Sequence, residues 1–198
     1  MGQELLGLVR YADRAPTQWR NGHGSTREMA KRLLGVVGPD FVWRLSIAEV
    51  TEDAEFSSFP GVERNATLIY GAGLTLEVDG EEHVMKPFAP FSFNGGAQTF
   101  ARPIAGPVRV LNVMTKSNRM SSSVTVVDLD GGRPVSIAGA SCLVQLTGGA
   151  TAYAADGASE DLLPLDVLTP RPRVRLIAGS GQVAVVRMEN YRSYRAFV

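Results

Sequence analysis

The chain has 198 residues, 44% hydrophobic and 20% charged, an ordinary globular composition that could fill one large or two small domains. Lys plus Arg equals Asp plus Glu at 20 each, so there is no cationic excess for a phosphate backbone or an anionic membrane, and neither nucleic acid nor membrane is an expected partner. Cys142 is the only cysteine, which excludes an internal disulfide, and residues 1–10 lack the basic and apolar runs of a signal or membrane span, so a cytoplasmic location is expected.

Residues 5–12 alternate weakly and suit a first strand. Residues 17–28 then concentrate Trp19, Arg20, Asn21, His23, Arg27 and Glu28 around Gly22 and Gly24, whose missing Cβ atoms let neighbouring side chains converge. Ser25 and Glu28 have capping-box spacing, so a short helix over 29–34 competes with an extended reading of 26–30. Gly38-Pro39-Asp40 is a turn cluster. From Phe41 the period is two: Trp43, Leu45 and Ile47 share one face, Arg44, Ser46 and Ala48 the other. Glu49 falls on the Trp43 face by parity and reaches Arg44 only across a bulge.

Strands follow over 66–70, 74–78 and 82–86, with Asp79-Gly80 a sharp hairpin signal. Pro87, Pro90, Pro103 and Pro107 break the next stretch into loops and edge strands before 108–115. Polar residues 117–123 read as a hinge. Beyond it come strands over 124–129, 135–138, 142–146, 151–155, 166–169, 174–178 and 183–189, the last two joined across Gly179-Ser180-Gly181. So many short strands point to a barrel or sandwich. An offset of about 77 residues brings Gly71 onto Gly148, Asp79-Gly80 onto Asp156-Gly157 and Pro87 onto Pro164, an internal echo that suggests a repeated unit.

Three blocks resemble one family. Trp19-Arg20-Asn21-Gly22-His23-Gly24-Ser25-Thr26-Arg27-Glu28-Met29-Ala30 resembles the signature of the HutD/Ves family. Trp43 to Val50 with Phe56 to Arg64, and Leu111-Asn112-Val113-Met114, resemble two further family blocks. His23 stands where that family has Gly, Gly96 where it has Asp, and Val110 where it has an acidic residue. The resemblance covers about residues 16–116. It implies an extended 26–30 and an all-β fold of two tandem cupin-like jelly-roll barrels, a bicupin, divided into 1–118 and 119–198. In such a barrel alternate side chains point inward and the lumen can hold one small ligand.

A transition-metal site needs converging ligands, and this chain has only His23 and His83 with no H-x-H pair, so no metal or other cofactor is expected. Cys142, among apolar neighbours, reads as an inert small hydrophobe. The best-supported chemistry is an anion pocket. Arg27, Arg44 and Arg64 all lie in the matching segments, near Asn21, Thr26, Ser46 and Asn65. Glu28 and Glu49 could neutralise one or two guanidiniums and leave another to take a carboxylate through its donor fork. The competing reading is a purely structural Arg–Glu network. Trp19, Phe59 and Phe93 could form an apolar wall, or simply core. Asn112, an amide in an apolar strand, must find partners and either caps a strand distortion or faces the pocket.

The expected ligand-binding set is therefore Trp19, Asn21, Thr26, Arg27, Glu28, Arg44, Ser46, Phe59, Arg64 and Asn112. The expected function is metal-independent binding of a small carboxylate metabolite. Through the family resemblance, that implies sensing or sequestering an intermediate of histidine utilisation, of the urocanate or N-formylglutamate class. Two alternatives stand beside it: a metal-independent isomerase or hydrolase using Glu28 or Glu49 as base, and a stress-related adaptor. Non-enzymatic binding is preferred, and self-association into a homodimer is left open.

Overall fold

The computed structural model describes residues 7–34, 40–170 and 174–191; within them the chain is built of strands, with one 3-10 turn at Tyr11–Asp13 and no α-helix. In chain order β1 (Gly7–Val9), β2 (Thr17–Gln18), β3 (Gly24–Leu33), β4 (Phe41–Val50), β5 (Ala54–Glu55) and β6 (Val62–Tyr70) come first. The hairpin β7 (Gly73–Val78) and β8 (Glu81–Met85) follows, then β9 (Pro90–Asn94), β10 (Thr99–Ile104) and β11 (Val108–Lys116). The second half holds β12 (Met120–Asp130), β13 (Val135–Ser136), β14 (Cys142–Gln145), β15 (Gly149–Ala154), β16 (Ser159–Leu162), β17 (Val167–Thr169) and β18 (Val174–Asn190). The extended reading of 26–30 holds: β3 runs to Leu33 because its backbone pairs with β4. The turn expected at Gly38-Pro39-Asp40 lies, apart from Asp40, outside the described residues.

Three sheets form, all antiparallel. One is ordered β2-β3-β4-β11-β6-β9 and a second β5-β10-β7-β8, while the third is ordered β1-β17-β14-β18-β15-β16 with β12 and β13 also on β18. Period-two alternation sends the two faces of the first sheet to different cores. Val50, Ala66, Leu68, Val108 and Val110 pack towards Leu74, Leu76, Met85 and Ala101 of the second sheet. Leu45, Ile47, Ile69, Leu111 and Val113 pack the other way, against Val124, Cys142, Val144, Val167, Ala184 and Val186 of the third. A further core of Ile137, Leu143, Leu162, Leu168, Ile177 and Val183 lies within the third sheet.

Two features depart from the expected strands. Residues 174–189 form one bent strand, β18, because Gly179 and Gly181 keep pairing through the bend, Gly179 opposite Ala150 and Gly181 opposite Leu129. Both glycines adopt positive φ, 156° and 87°, and a Cβ on either would run into the backbone of Gly149 or Thr147. The N-terminal strand also crosses over, since β1 pairs with β17 of the third sheet. Buried Asp166 locks it there, accepting from Arg10 Nη1 at 2.6 Å and from the Tyr11 and Leu163 amides at 3.0 Å each.

The echo in the sequence corresponds to matching pieces of backbone. Asp79-Gly80 closes the β7–β8 hairpin with φ of 49° and 84°, as a two-residue primed turn requires. Asp156-Gly157 turns β15 into β16 with only Gly157 at positive φ. At the same 77-residue offset, Phe88 and Leu165, each just after a proline, take φ of 60° and 71°. Left-handed geometry at bulky residues is uncommon enough that its repetition marks one local structure used twice.

Candidate functional site

The candidate site lies on the face of the first sheet that looks towards the second, and strand register sets its layout. One row across the sheet runs Lys31, Arg44, Met114, Arg64, Phe93 on β3, β4, β11, β6 and β9. The next runs Glu28, Ser46, Asn112, Ala66, Phe91. Thr26 and Ala48 begin the row beyond. A bulge makes the charged end of these rows. Glu28 opposes Ser46 and Ala30 opposes Leu45, so Met29 is an extra residue and turns into the core, 1% exposed. The bulge returns Lys31 to the face of Glu28, three residues earlier, where unbroken alternation would have put it on the opposite side.

The charges are then unequally paired. Glu28 accepts from Lys31 at 2.7 Å through one oxygen and from Arg44 Nε at 3.0 Å through the other. Arg64 is 5% exposed and meets no carboxylate among the described residues. Its Nε and Nη2 both donate to Asn112 Oδ1, at 2.9 and 2.8 Å. Asn112 is itself 1% exposed and is oriented by donating from Nδ2 to the Val110 carbonyl at 3.3 Å. The Arg64 guanidinium lies 4.3 Å from the ring centre of Phe56 and 5.5 Å from that of Phe93, so aromatic faces share part of its charge. Burial, and secondarily the charge of Arg44, lower its pKa to about 9, which still leaves it cationic near neutrality. Its remaining N–H groups, both of those on Nη1 included, have no protein acceptor among the described residues.

The glycine loop closes one side. Trp19 donates from Nε1 to Thr26 Oγ1 at 2.8 Å, and its ring meets Phe56 edge to face at 5.8 Å. Gly24 is obligatory at this crossing, since a Cβ there would collide with the Glu49 carbonyl and press to 3.1 Å on the Trp19 ring. Arg20 and Asn21 from this loop, and Glu55, Ser57, Ser58 and Phe59 from the chain before β6, complete a cavity of about 830 Å³.

Nine of the ten expected ligand-binding residues line this cavity: Trp19, Asn21, Thr26, Glu28, Arg44, Ser46, Phe59, Arg64 and Asn112. Arg27 does not. It falls on the opposite face of β3, donating to the Tyr11 hydroxyl at 2.7 Å and to the Arg14 carbonyl at 2.9 Å, with its guanidinium 4.5 Å from the Tyr11 ring centre. Glu49 keeps to its parity and accepts from Arg109 at 3.2 Å, away from the cavity. Phe56, Ser57 and Ser58 were missed as site residues although they begin the segment that contains Phe59.

None of the three departures from the family wording lines the cavity, and Val110 is buried in the core shared with the second sheet. His23 ties the loop to the β4–β5 connection, its Nδ1 2.7 Å from the Asp53 carbonyl. Gly96 sits beside Pro60 and donates its amide to Asn94 Oδ1 at 2.9 Å. Among the described residues no three His, Cys, Asp or Glu gather in one place. The donors at the centre of the cavity, Arg44 and Arg64, would repel a metal cation, and Glu28 is already shared by two cations. No helix among the described residues is long and apolar enough to cross a membrane.

Comparisons with known proteins agree with this architecture. Over 112 residues the chain is 41% identical to Protein Ves of Citrobacter koseri, covering 56% of this chain and 58% of that protein. Over 115 residues it is 36% identical to an uncharacterized 21.2 kDa protein in the hutC 3' region of Pseudomonas putida, covering 58% and 60%. These matches thus span about three fifths of the curated relatives' length. The solved structure of HutD from Pseudomonas fluorescens SBW25 superimposes with a TM-score of 0.78 at 31% identity, covering 93% of this chain and 98% of that one. An all-β, cupin-like barrel fold accords with that superposition. The HutD family model matches residues 11–185, and the chain belongs to the HutD family.

Proposed function

We propose that this protein binds a small carboxylate-bearing metabolite in the cavity over Arg64, without turning it over, and that it senses or sequesters an intermediate of histidine utilisation. The observation that carries this reading is a buried guanidinium held by an amide where a carboxylate would ordinarily stand. A buried cation without a counter-ion is costly, and an arriving carboxylate would offset that cost while accepting from the unused side of the fork. Family membership and the hut location of the P. putida relative support the metabolic assignment, with urocanate and N-formylglutamate as the ligands to try first. A base in the same cavity is less well supported: Glu49 is outside it, and both carboxylate oxygens of Glu28 are already engaged, one by Lys31 and one by Arg44.

The wider reading is of a cytoplasmic protein made of two tandem cupin-like barrels, 1–118 and 119–198. The repeated hairpins and the repeated left-handed residues after Pro87 and Pro164 support it. Calorimetric titration of Arg64→Met with urocanate and N-formylglutamate tests the function. The expected outcome is saturable binding by the unaltered protein and a loss of about 1.5–3 kcal/mol in the variant, the range for hydrogen bonds to a charged group. Equal binding by both proteins, or steady conversion of either acid, would defeat the proposal.

A further inference from the structure

Resting on the carboxylate reading above, we infer that the cavity is built for a dianion: a short diacid whose first carboxylate sits on Arg64 and whose second sits on Arg44. The inference comes from charge and register. Arg20, Arg44 and Arg64 line the cavity with Glu28 and Glu55, and Lys31, outside the lining, also pairs with Glu28, so these six charges together carry an excess of two positive. A monocarboxylate would leave one of those charges uncompensated.

The two guanidiniums are placed to share one ligand. Arg44 and Arg64 both oppose Met114, on the strands flanking β11, so their Cα atoms stand about 9–10 Å apart, twice the strand spacing. Long side chains reach inwards from there. Arg44 engages Glu28 only through Nε, and its two Nη groups have no protein acceptor among the described residues. The same Glu28 is drawn on by Lys31, so Arg44 has only part of a counter-charge. Between the two donors lies the apolar side chain of Met114, 3% exposed, the kind of surface that methylenes linking two carboxylates would cover.

Matched acids test this with the full chain. Glutarate and its monoamide glutaramate share a five-carbon skeleton and differ in the second polar group, and butyrate is the same chain without that group. Titrated into the unaltered protein, glutarate is expected to bind at least tenfold more tightly than glutaramate or butyrate. In Arg44→Met that preference is expected to shrink to within about threefold, mostly by weakening glutarate, since one good charge-assisted contact is worth about a factor of ten or more. Glutaramate binding as tightly as glutarate to the unaltered protein would overturn the dianion while leaving carboxylate binding intact. Binding of none of the three at millimolar concentration would overturn both. The comparison within the unaltered protein does not depend on Arg44→Met folding.

Discussion

The residue on which the site turns is Arg64, and its environment sets how binding depends on pH. Its pKa is lowered, so the cation is held less firmly in the folded protein than in the unfolded chain, and an anionic ligand favours the protonated form. Carboxylate affinity should therefore be flat between pH 7 and 8 and fall as pH rises through about 9, where the guanidinium loses its proton. Titrations at pH 7, 8, 9 and 10 check this, and affinity unchanged at pH 10 would show that the cation is not the anchor. Cys142 behaves in the opposite sense. Burial pushes its thiol up to about 11, so at pH 8 it should resist iodoacetamide in the folded protein and react only after denaturation. Mass spectrometry of native and urea-treated samples separates the two states.

At the scale of elements, β3 decides whether the site exists. Its bulge at Met29 puts Glu28 and Lys31 on one face, and Gly24 lets the loop carrying Trp19 close over that face. Gly24→Ala should force Trp19 away from Thr26 and Phe56, costing about 1–3 kcal/mol of stability, as overpacking does. Denaturant unfolding would measure the loss and tryptophan fluorescence the displacement. A variant as stable as the parent, with unchanged emission, would mean that the loop is not held by this contact. Arg44 also belongs to this scale. Its ion pair with Glu28 is the structural alternative weighed from the sequence, but Glu28 is 37% exposed, so breaking the pair costs less than it would in a dry interior.

At the scale of the molecule, the first and third sheets share one apolar core and β1 crosses from one half to the other. Leu111, fully buried in that shared core, is a direct probe. Leu111→Ala should cost about 2–5 kcal/mol and lower the stability of both halves together in one unfolding transition. Two separated transitions, with only one shifted, would show that the halves unfold independently. The Arg10–Asp166 pair adds a polar tie across the same boundary at 2.6 Å.

Much of this was legible in the sequence, and the reason is local. Strand alternation in residues 41–50 assigned Arg44, Ser46 and Ala48 to one face whatever they faced, and the same parity kept Glu49 off it. Asp79-Gly80 encodes its own turn, and the family resemblance led to the Trp19 loop. Three things required the tertiary structure. Which guanidinium lacks a carboxylate follows from registers between β3, β4, β11 and β6, which lie far apart in the chain; the same composition allows Arg44, Arg64 or Arg27 to be the free one. The fate of Arg27 hung on where Tyr11 comes to rest. Gly179-Ser180-Gly181 reads as a break between strands when taken alone, yet pairing from both sides carries one strand through it, because long-range hydrogen bonds outweigh the local preference of glycine.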